Sequence, residues 1–540
     1  MLLFMDVAVF DGERTLPGRR NVLVDGDTIV DVQADLAPHE AAIRIDGRGA
    51  TLLPGLIDAH THLWAEHATT QSAVFGVTTA LDMFSPPELN AAWRAGPDGM
   101  GPVANTRTAG FPATVPGGHG SEYGIGTPTI TDAGQAAAFV TARLRDGADY
   151  IKIICDSVRG NAYSLTPDMI RALVDAAHDH GVLALAHATI AADAAVATDA
   201  GVDALMHVPV DDMAGLAPSV LVPTLATLHA GFFTDLPDVL GDPVLRELID
   251  VDAADNLRQT WRIPPHWRYE QVRANVRNAH ERGCRVLAGT DAGMPGTAHG
   301  VSLHHELSLL VDAGLSPSAA LTAATSAPAE VFGLTDRGRI APGRRADLLL
   351  VHGDPTEQIT DSRRILGVWV GGEPVRHDNW RAHVEGRRTE LANRPASPIG
   401  AVSNWRPLTG GDSTAELSTT DEVLTVRTSV ARTQGFRFGY AGATSATTES
   451  DVDGVNLTRA TAIELTVRAQ APTVLVVGLD AGYPFKQPPT VPITVSTDYQ
   501  PHTIPLAEFG AVDLSRVRAV QLTAVDPDCP GFQVARAAIT

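Results

Sequence analysis

His60 and His62 stand two residues apart at the end of the apolar run GLIDAHTHL. On a strand, side chains i and i+2 share a face, so both imidazoles can reach one metal ion. Four further residues of metal-ligating type mark later apolar runs: Lys152 in ADYIKIICD, His187 in GVLALAHA, His207 in GVDALMHV and Asp291 in CRVLAGTDA. Imidazole nitrogen and carboxylate oxygen suit zinc and neighbouring divalent ions without any thiolate. Lys152 is the most informative of the set. Of 41 Lys and Arg residues only Lys152 and Lys486 are lysine, and Lys152 is flanked by Ile151, Ile153 and Ile154. A free ammonium would be costly to bury there unless paired. A primary amine retained in such a place points to chemistry that a guanidinium cannot supply. Carboxylation by carbon dioxide would turn it into an anionic oxygen ligand able to bridge two cations.

Positioning these residues takes a particular architecture. GLIDAHTHL, GVTTALDM, PVANTRTAG, ADYIKIICD, GVLALAHA, GVDALMHV, SVLVPTLA and CRVLAGTDA are eight near-continuous apolar runs, as strands buried on both faces should be. Helical stretches alternate with them, for example TPDMIRALVDAAHDHG, with Thr166 as N-cap, Pro167 at the first helical position and Gly181 as the stop. The pattern is α/β and fits a (β/α)₈ TIM barrel over residues 53–337, whose catalytic groups gather at the C-terminal strand ends. Every candidate ligand falls on that rim. Residues 228–280 are a longer connection expected to overhang it. The flanking stretches 1–52 and 338–388 are strand-like with Gly and Pro turns and can pair into a small composite β-sandwich. A linker is expected at 389–402, and closely spaced strand-like segments over 403–540 read as an additional C-terminal all-β jelly roll.

Composition narrows the function. A formal charge of -22 argues against a nucleic-acid or anionic-membrane partner. Three scattered cysteines, Cys155, Cys284 and Cys529, give neither a disulfide framework nor a Cys-X-X-Cys site. No run of eighteen apolar residues suggests a membrane span, and MLLFMDVAVFDGER lacks a basic n-region and a cleavage site. A cytoplasmic location is expected.

Taken together, LLPGLIDAHTHL, YIKIICD, LALAHA, ALMH, AGTDAG and GRIAPGRRADLLLV resemble the amidohydrolase superfamily, in its imidazolonepropionase-like and dipeptidase-like branch, over about residues 1 to 390. The resemblance implies a binuclear metal-dependent hydrolase. His60, His62 and Asp291 would hold one ion, His187 and His207 the second, and an N6-carboxylated Lys152 would bridge them. Zinc is the default, with manganese, cobalt or iron open. Two cations about 3.5 to 4 Å apart hold a bridging water and lower its pKa towards about 7. Asp291 is then the catalytic proton shuttle. Hydrolysis of an amide bond in a small molecule (a dipeptide, an N-acyl amino acid or a cyclic amide) is the leading reading. A lactonase or ester hydrolase is the alternative, and a metal-free binding or scaffold homologue the remote one. A deaminase fits less well, because His187 is followed by ATIAADAA rather than by an early Glu.

Weaker candidates cluster in loops at the same rim. PATVPGGHGSEYG resembles a Gly-Gly-His-Gly element of dipeptidase-like relatives and places His119 and Tyr123 at the expected mouth. Arg107, Arg159, Tyr163 and His229 also follow expected strands and are candidates for substrate binding. His304 and His305 fall among Leu303, Leu307 and Leu310 at helical spacing and are read as solvated or structural. In the C-terminal part, NWRPLTGGDSTAEL, FRFGYAG and VDLSRVRAVQLTA resemble galactose-binding-type jelly rolls related to carbohydrate-binding modules. There Trp405, Tyr440, Tyr483, Phe485 and Tyr499 leave open a glycan surface, a face docking on the barrel, a homo-oligomer contact or plain core.

Overall fold

In a computed structural model of the chain, the eight apolar runs form eight short parallel strands. The structure describes residues 1–540 apart from 37–41, 90–92, 94–98, 122–124, 234, 262, 265, 396–401, 403, 411–412, 432–439, 447–453, 482–487 and 511. Leu56–Thr61, Val77–Asp82 and Asn105–Thr108 pair in that order. Ile151–Cys155, Ala184–Ala188, Ala204–Met206, Val220–Val222 and Arg285–Val286 form a second parallel arc. The arcs meet at both seams. Ala113 bridges Ile153, with Ala113 N donating to Lys152 O at 2.8 Å, and Thr61 bridges Ala292, with His62 N donating to Ala292 O at 2.8 Å.

Two apolar layers flank these strands. Ile57, Ala59, Leu81, Met83, Tyr150, Leu185, Met206, Val222 and Leu287 form one core. Ile151, Ile153, Ala186, Leu205 and Leu221 belong to a larger core shared with helix residues such as Leu173, Val272 and Leu307. Alternation along a strand divides the two, since Tyr150 and Leu185 face one side while Ile151 and Ala186 face the other. Helix Pro167–Asp179 begins as its sequence requires: Thr166 Oγ1 accepts from Met169 N, Pro167 opens the first turn, and Gly181 beyond the end takes φ +70°. Connection 228–280 contains helices Val251–Leu257 and Tyr269–Glu281.

The two flanks of the chain join in one eight-stranded sheet. Ala50–Pro54 pairs antiparallel with Leu348–His352, Leu52 opposite Leu350, and Phe4, Val22, Ile29, Leu348 and Trp369 share its core. The C-terminal end of this flank differs from the sequence reading. Residues His377–Asn393 form a helix, so the last part of the stretch 338–388 is not β structure and the linker does not begin at 389. Trp380 and Val384 are buried one turn apart, Trp380 Nε1 donating to Leu248 O at 2.7 Å. Pro395 follows two residues after the helix ends.

The chain divides into two compact units, Met1–Val384 and Glu385–Thr540. The second contains two five-stranded antiparallel sheets, and Val426, Leu465 and Phe532 of one share a core with Leu475, Val477 and Leu522 of the other. Tyr499 is exposed and stacks under Arg468, whose guanidinium lies 4.6 Å from the ring centre. Tyr483 and Phe485 lie outside the described residues. Among the described residues, no helix is long and apolar enough to cross a membrane.

Candidate metal centre

Five of the six candidate ligands lie against one another, and the sixth, Lys152, is the second residue of strand Ile151–Cys155 and not its end, yet its charge acts on His60, His187 and His207. His60 Nε2 and His62 Nε2 stand 3.3 and 2.9 Å from Asp291 Oδ1. The ligand atoms of these three buried residues all lie within 4.8 Å of one another. The His207 ring is centred 4.8 Å from that of His60, and the His187 ring 4.6 Å from that of His207. Lys152 pairs in register with Leu185, two residues before His187, and is 3% exposed. Its burial pushes the amine down to about 7, which the charge of Asp291 partly opposes.

Backbone geometry at these positions is special. His207 and Asp291 hold φ of +72° and +60°, and Thr224 holds +52°. Such left-handed conformations in non-glycine residues are costly and persist where the surroundings enforce them. Asp291 N donates to His60 O at 2.8 Å, tying the end of the eighth strand to the first. Gly289 allows the approach, because a Cβ there would lie 2.8 Å from His60 N and 2.5 Å from Val222 Cγ1. Gly289→Ala is therefore expected to cost about 1–3 kcal/mol through overpacking. A calorimetric Tm unchanged from the parent would contradict that packing.

The protonation pattern fits a cation. Phe84 O can only accept, so His62 Nδ1, 3.4 Å away, carries the proton and Nε2 keeps its lone pair. That lone pair faces a carboxylate oxygen. Burial opposes ionisation of Asp291, yet the adjacent His60 and His62 imidazoles hold its carboxyl well below the usual range. A cation held between the two imidazoles and Asp291 would satisfy the carboxylate and a His62 Nε2 lone pair together. The buried ring nitrogens of His60 have no hydrogen bond among the described residues, and burial lowers its pKa well below the ordinary value. At His207, Thr224 Oγ1 donates to Pro223 O at 2.8 Å and so accepts from Nδ1 at 2.7 Å, leaving the Nε2 lone pair available. His187 engages Thr189 Oγ1 through Nε2 at 3.2 Å, which leaves Nδ1.

Residues that the sequence did not single out hold this arrangement. Asp58 is buried and accepts from Thr290 Oγ1 at 2.6 Å, Thr290 N at 3.1 Å and His60 N at 3.2 Å, and burial pushes it up to about 7. Asp82 accepts from Leu63 N and from Thr108 Oγ1 and Ser85 Oγ. His299 Nε2 lies 2.9 Å from His62 O. His304 bonds Ser362 and Phe75 O and is structural, as is His305, which contacts Asp238. Burial pushes His207 down to about 3 and His299 and His304 to about 4, whereas an ordinary histidine titrates near 6.5. The unfolded chain thus binds more protons below about pH 6.5, so stability is lost as pH falls from there towards the folded values. Asp58, pushed up to about 7, acts in the opposite sense, so urea midpoints of the metal-free parent are expected to drop more steeply between pH 7 and 4.5 than those of a His304→Asn variant. Identical slopes would mean that the His304 ring is not buried neutral.

The loop candidates separate. His119 is brought in, its ring 4.8 Å from that of His187. Tyr163 packs on the same loop: a Cβ on Gly118 would meet Tyr163 O at 2.8 Å, which explains the paired glycines. Arg107 is directed elsewhere, its Nε 3.5 Å from Asp149, which precedes strand Ile151–Cys155 at the end opposite the histidines. In strand Asn105–Thr108 the buried positions are Thr106 and Thr108, and Arg107 takes the other face. His229 lies within helix Leu225–Phe232 against Phe233 and His305, with ring centres 4.7 and 5.2 Å away. Tyr123 and the side chain of Arg159 lie outside the described residues.

Histidines and a carboxylate gather at the C-terminal ends of parallel strands in an α/β fold, where His60, His62 and Asp291 could hold a metal ion. The chain belongs to the amidohydrolase family, whose model matches residues 51–375. It is 27% identical over 371 residues to an imidazolonepropionase of Salinispora arenicola, covering 63% of this chain and 88% of that one. It is 40% identical over 103 residues to an imidazolonepropionase of Deinococcus deserti, a match spanning 19% of this chain but only 24% of the relative. The fold is also similar to a crystal structure of a Xaa-Pro dipeptidase with methionine bound in its active site. That match has a TM-score of 0.56 and 24% identity, covering 69% of this chain and 99% of that one.

Proposed function

We propose that this protein is a metal-dependent hydrolase that cleaves an amide bond in a small molecule (a dipeptide, an N-acyl amino acid or a cyclic amide). In this reading the two arcs close into a (β/α)₈ barrel, Lys152 is N6-carboxylated, and two divalent ions, zinc by default, are held at its rim. The observation that carries it is the gathering of His60, His62 and Asp291, buried residues whose ligand atoms all lie within 4.8 Å of one another, with the His207 ring 4.8 Å from that of His60. His60, His62 and Asp291 would hold one ion, His187 and His207 the other, and Lys152 both. Bound there, the ions supply Lewis acidity towards the scissile carbonyl and acidify the attacking water. Asp291 accepts the proton of that water and passes it to the leaving nitrogen. His119, held beside His187 by the glycine loop, is placed on the substrate side. Family membership supports hydrolysis, and a dipeptidase among the similar folds supports a small amide.

The test is expression of the full chain with zinc and bicarbonate, metal analysis, and a panel of dipeptides, N-acyl amino acids, cyclic amides and lactones. Zinc near two ions per chain and turnover of an amide are expected. Turnover of lactones alone would replace the amide reading, and absence of any bound metal would leave a binding or scaffold homologue.

A further inference from the structure

Thr224 occupies the N-cap of helix Leu225–Phe232, yet its side chain makes no capping hydrogen bond. A threonine at this place ordinarily gives its oxygen to an N–H of the first turn, from an extended backbone. Here the left-handed backbone turns Oγ1 the other way, to Pro223 O and His207 Nδ1. The helix is capped from far along the chain instead. Glu306, on helix Val301–Asp312 and fully buried, accepts from Leu225 N through one carboxylate oxygen at 3.0 Å and from Ala226 N through the other at 2.7 Å.

We propose that Glu306 is a positioning residue for the site: by capping helix Leu225–Phe232 in place of Thr224, it frees the Thr224 hydroxyl to fix the tautomer and orientation of His207. The inference rests on the metal-site reading above. A cap alone does not account for the arrangement, because a hydroxyl suited to that task already stands at the N-cap. Burying a carboxyl group is costly, and burial pushes Glu306 up to about 8 although the two backbone N–H groups oppose that. What Glu306 adds beyond a local cap is a Thr224 oxygen left to serve the ring. The order of effect therefore runs from Glu306 to the helix N-terminus, to Thr224, to His207.

The full chain, loaded with zinc in bicarbonate and equilibrated with a chelator of fixed strength, tests this through metal content as well as activity. Glu306→Gln and Thr224→Val are each expected to weaken the His187 and His207 ion by about 10- to 100-fold, the usual size for loss of an outer partner of a ligand. Zinc falls from about two to about one per chain, while the His60, His62 and Asp291 ion stays. Thr224→Val lowers Tm as well, since the buried His207 Nδ1 loses its partner, and the double variant is no weaker in zinc than the weaker single variant. If Glu306→Gln does not fold, Glu306→Asp, which keeps the carboxyl group but withdraws it by one methylene, reads the same coupling. A folded Glu306 variant that keeps both ions, or losses that add in the double variant, would show that Glu306 only caps a helix. A parent chain that binds no metal would overturn the metal reading itself, and this inference with it.

Discussion

Asp291→Asn lowers turnover by about 10³- to 10⁴-fold, the upper range for loss of a positioned acid–base group, while much of the zinc stays bound. The amide oxygen can still act as a ligand, and His60 and His62 remain in place around it. The amide cannot take up the proton that the carboxylate carries. Because Asp291 N is tied to His60 O, the substitution leaves the backbone at the seam unchanged. Steady-state kinetics on whichever amide the panel identifies, combined with metal analysis of the same preparation, separates the two functions of this residue. Near-normal turnover in the asparagine variant would remove Asp291 from the chemistry and leave it a ligand only.

Lys152→Arg retains positive charge and most of the volume, yet is expected to cost more in metal affinity than the 10- to about 100-fold typical of outer-shell changes. A guanidinium stays protonated, whereas the buried amine of Lys152, pushed down to about 7, is available at neutral pH in the unprotonated form that carbon dioxide requires. Carbon-13 bicarbonate should give a carbamate resonance in the parent protein and none in the arginine variant. A variant that holds two ions and turns over substrate normally would show that no bridge forms at Lys152.

The strand-end residues could be read from the sequence because each signal is local: an apolar run a few residues long with a ligand-type side chain at its end. Lys152 stood out by contrast with its isoleucine neighbours and with a chain that otherwise uses arginine. The supports were not legible in that way. Thr290 and Asp58 are 232 positions apart in the chain, and nothing near either shows that they bond. Glu306 reads as one carboxylate on an apolar helix, and its partners Leu225 and Ala226 offer only backbone. Arg107 was misplaced because its strand has four residues, too few for the pattern to show which face its side chain takes. Helix His377–Asn393 escaped because Trp380 and Val384 are its few apolar markers among charged residues.

The seam where the eighth strand meets the first has a mechanical consequence. Regular pairing of the eighth strand is confined to Arg285–Val286, and beyond it the seam is held by the backbone N–H groups of Ala59, His62, Thr290 and Asp291, each donating to a carbonyl across it. His60 and His62 lie on one side of that seam and Asp291 on the other, so an ion gripped by all three acts as a cross-link between the two arcs. Stripping the metal should then open the molecule locally before it unfolds globally, with the amides of His62, Asp291 and Ala292 exchanging with solvent ahead of those in the middle of the five-stranded arc. The site would in that case govern how long the protein lasts as well as what it cleaves.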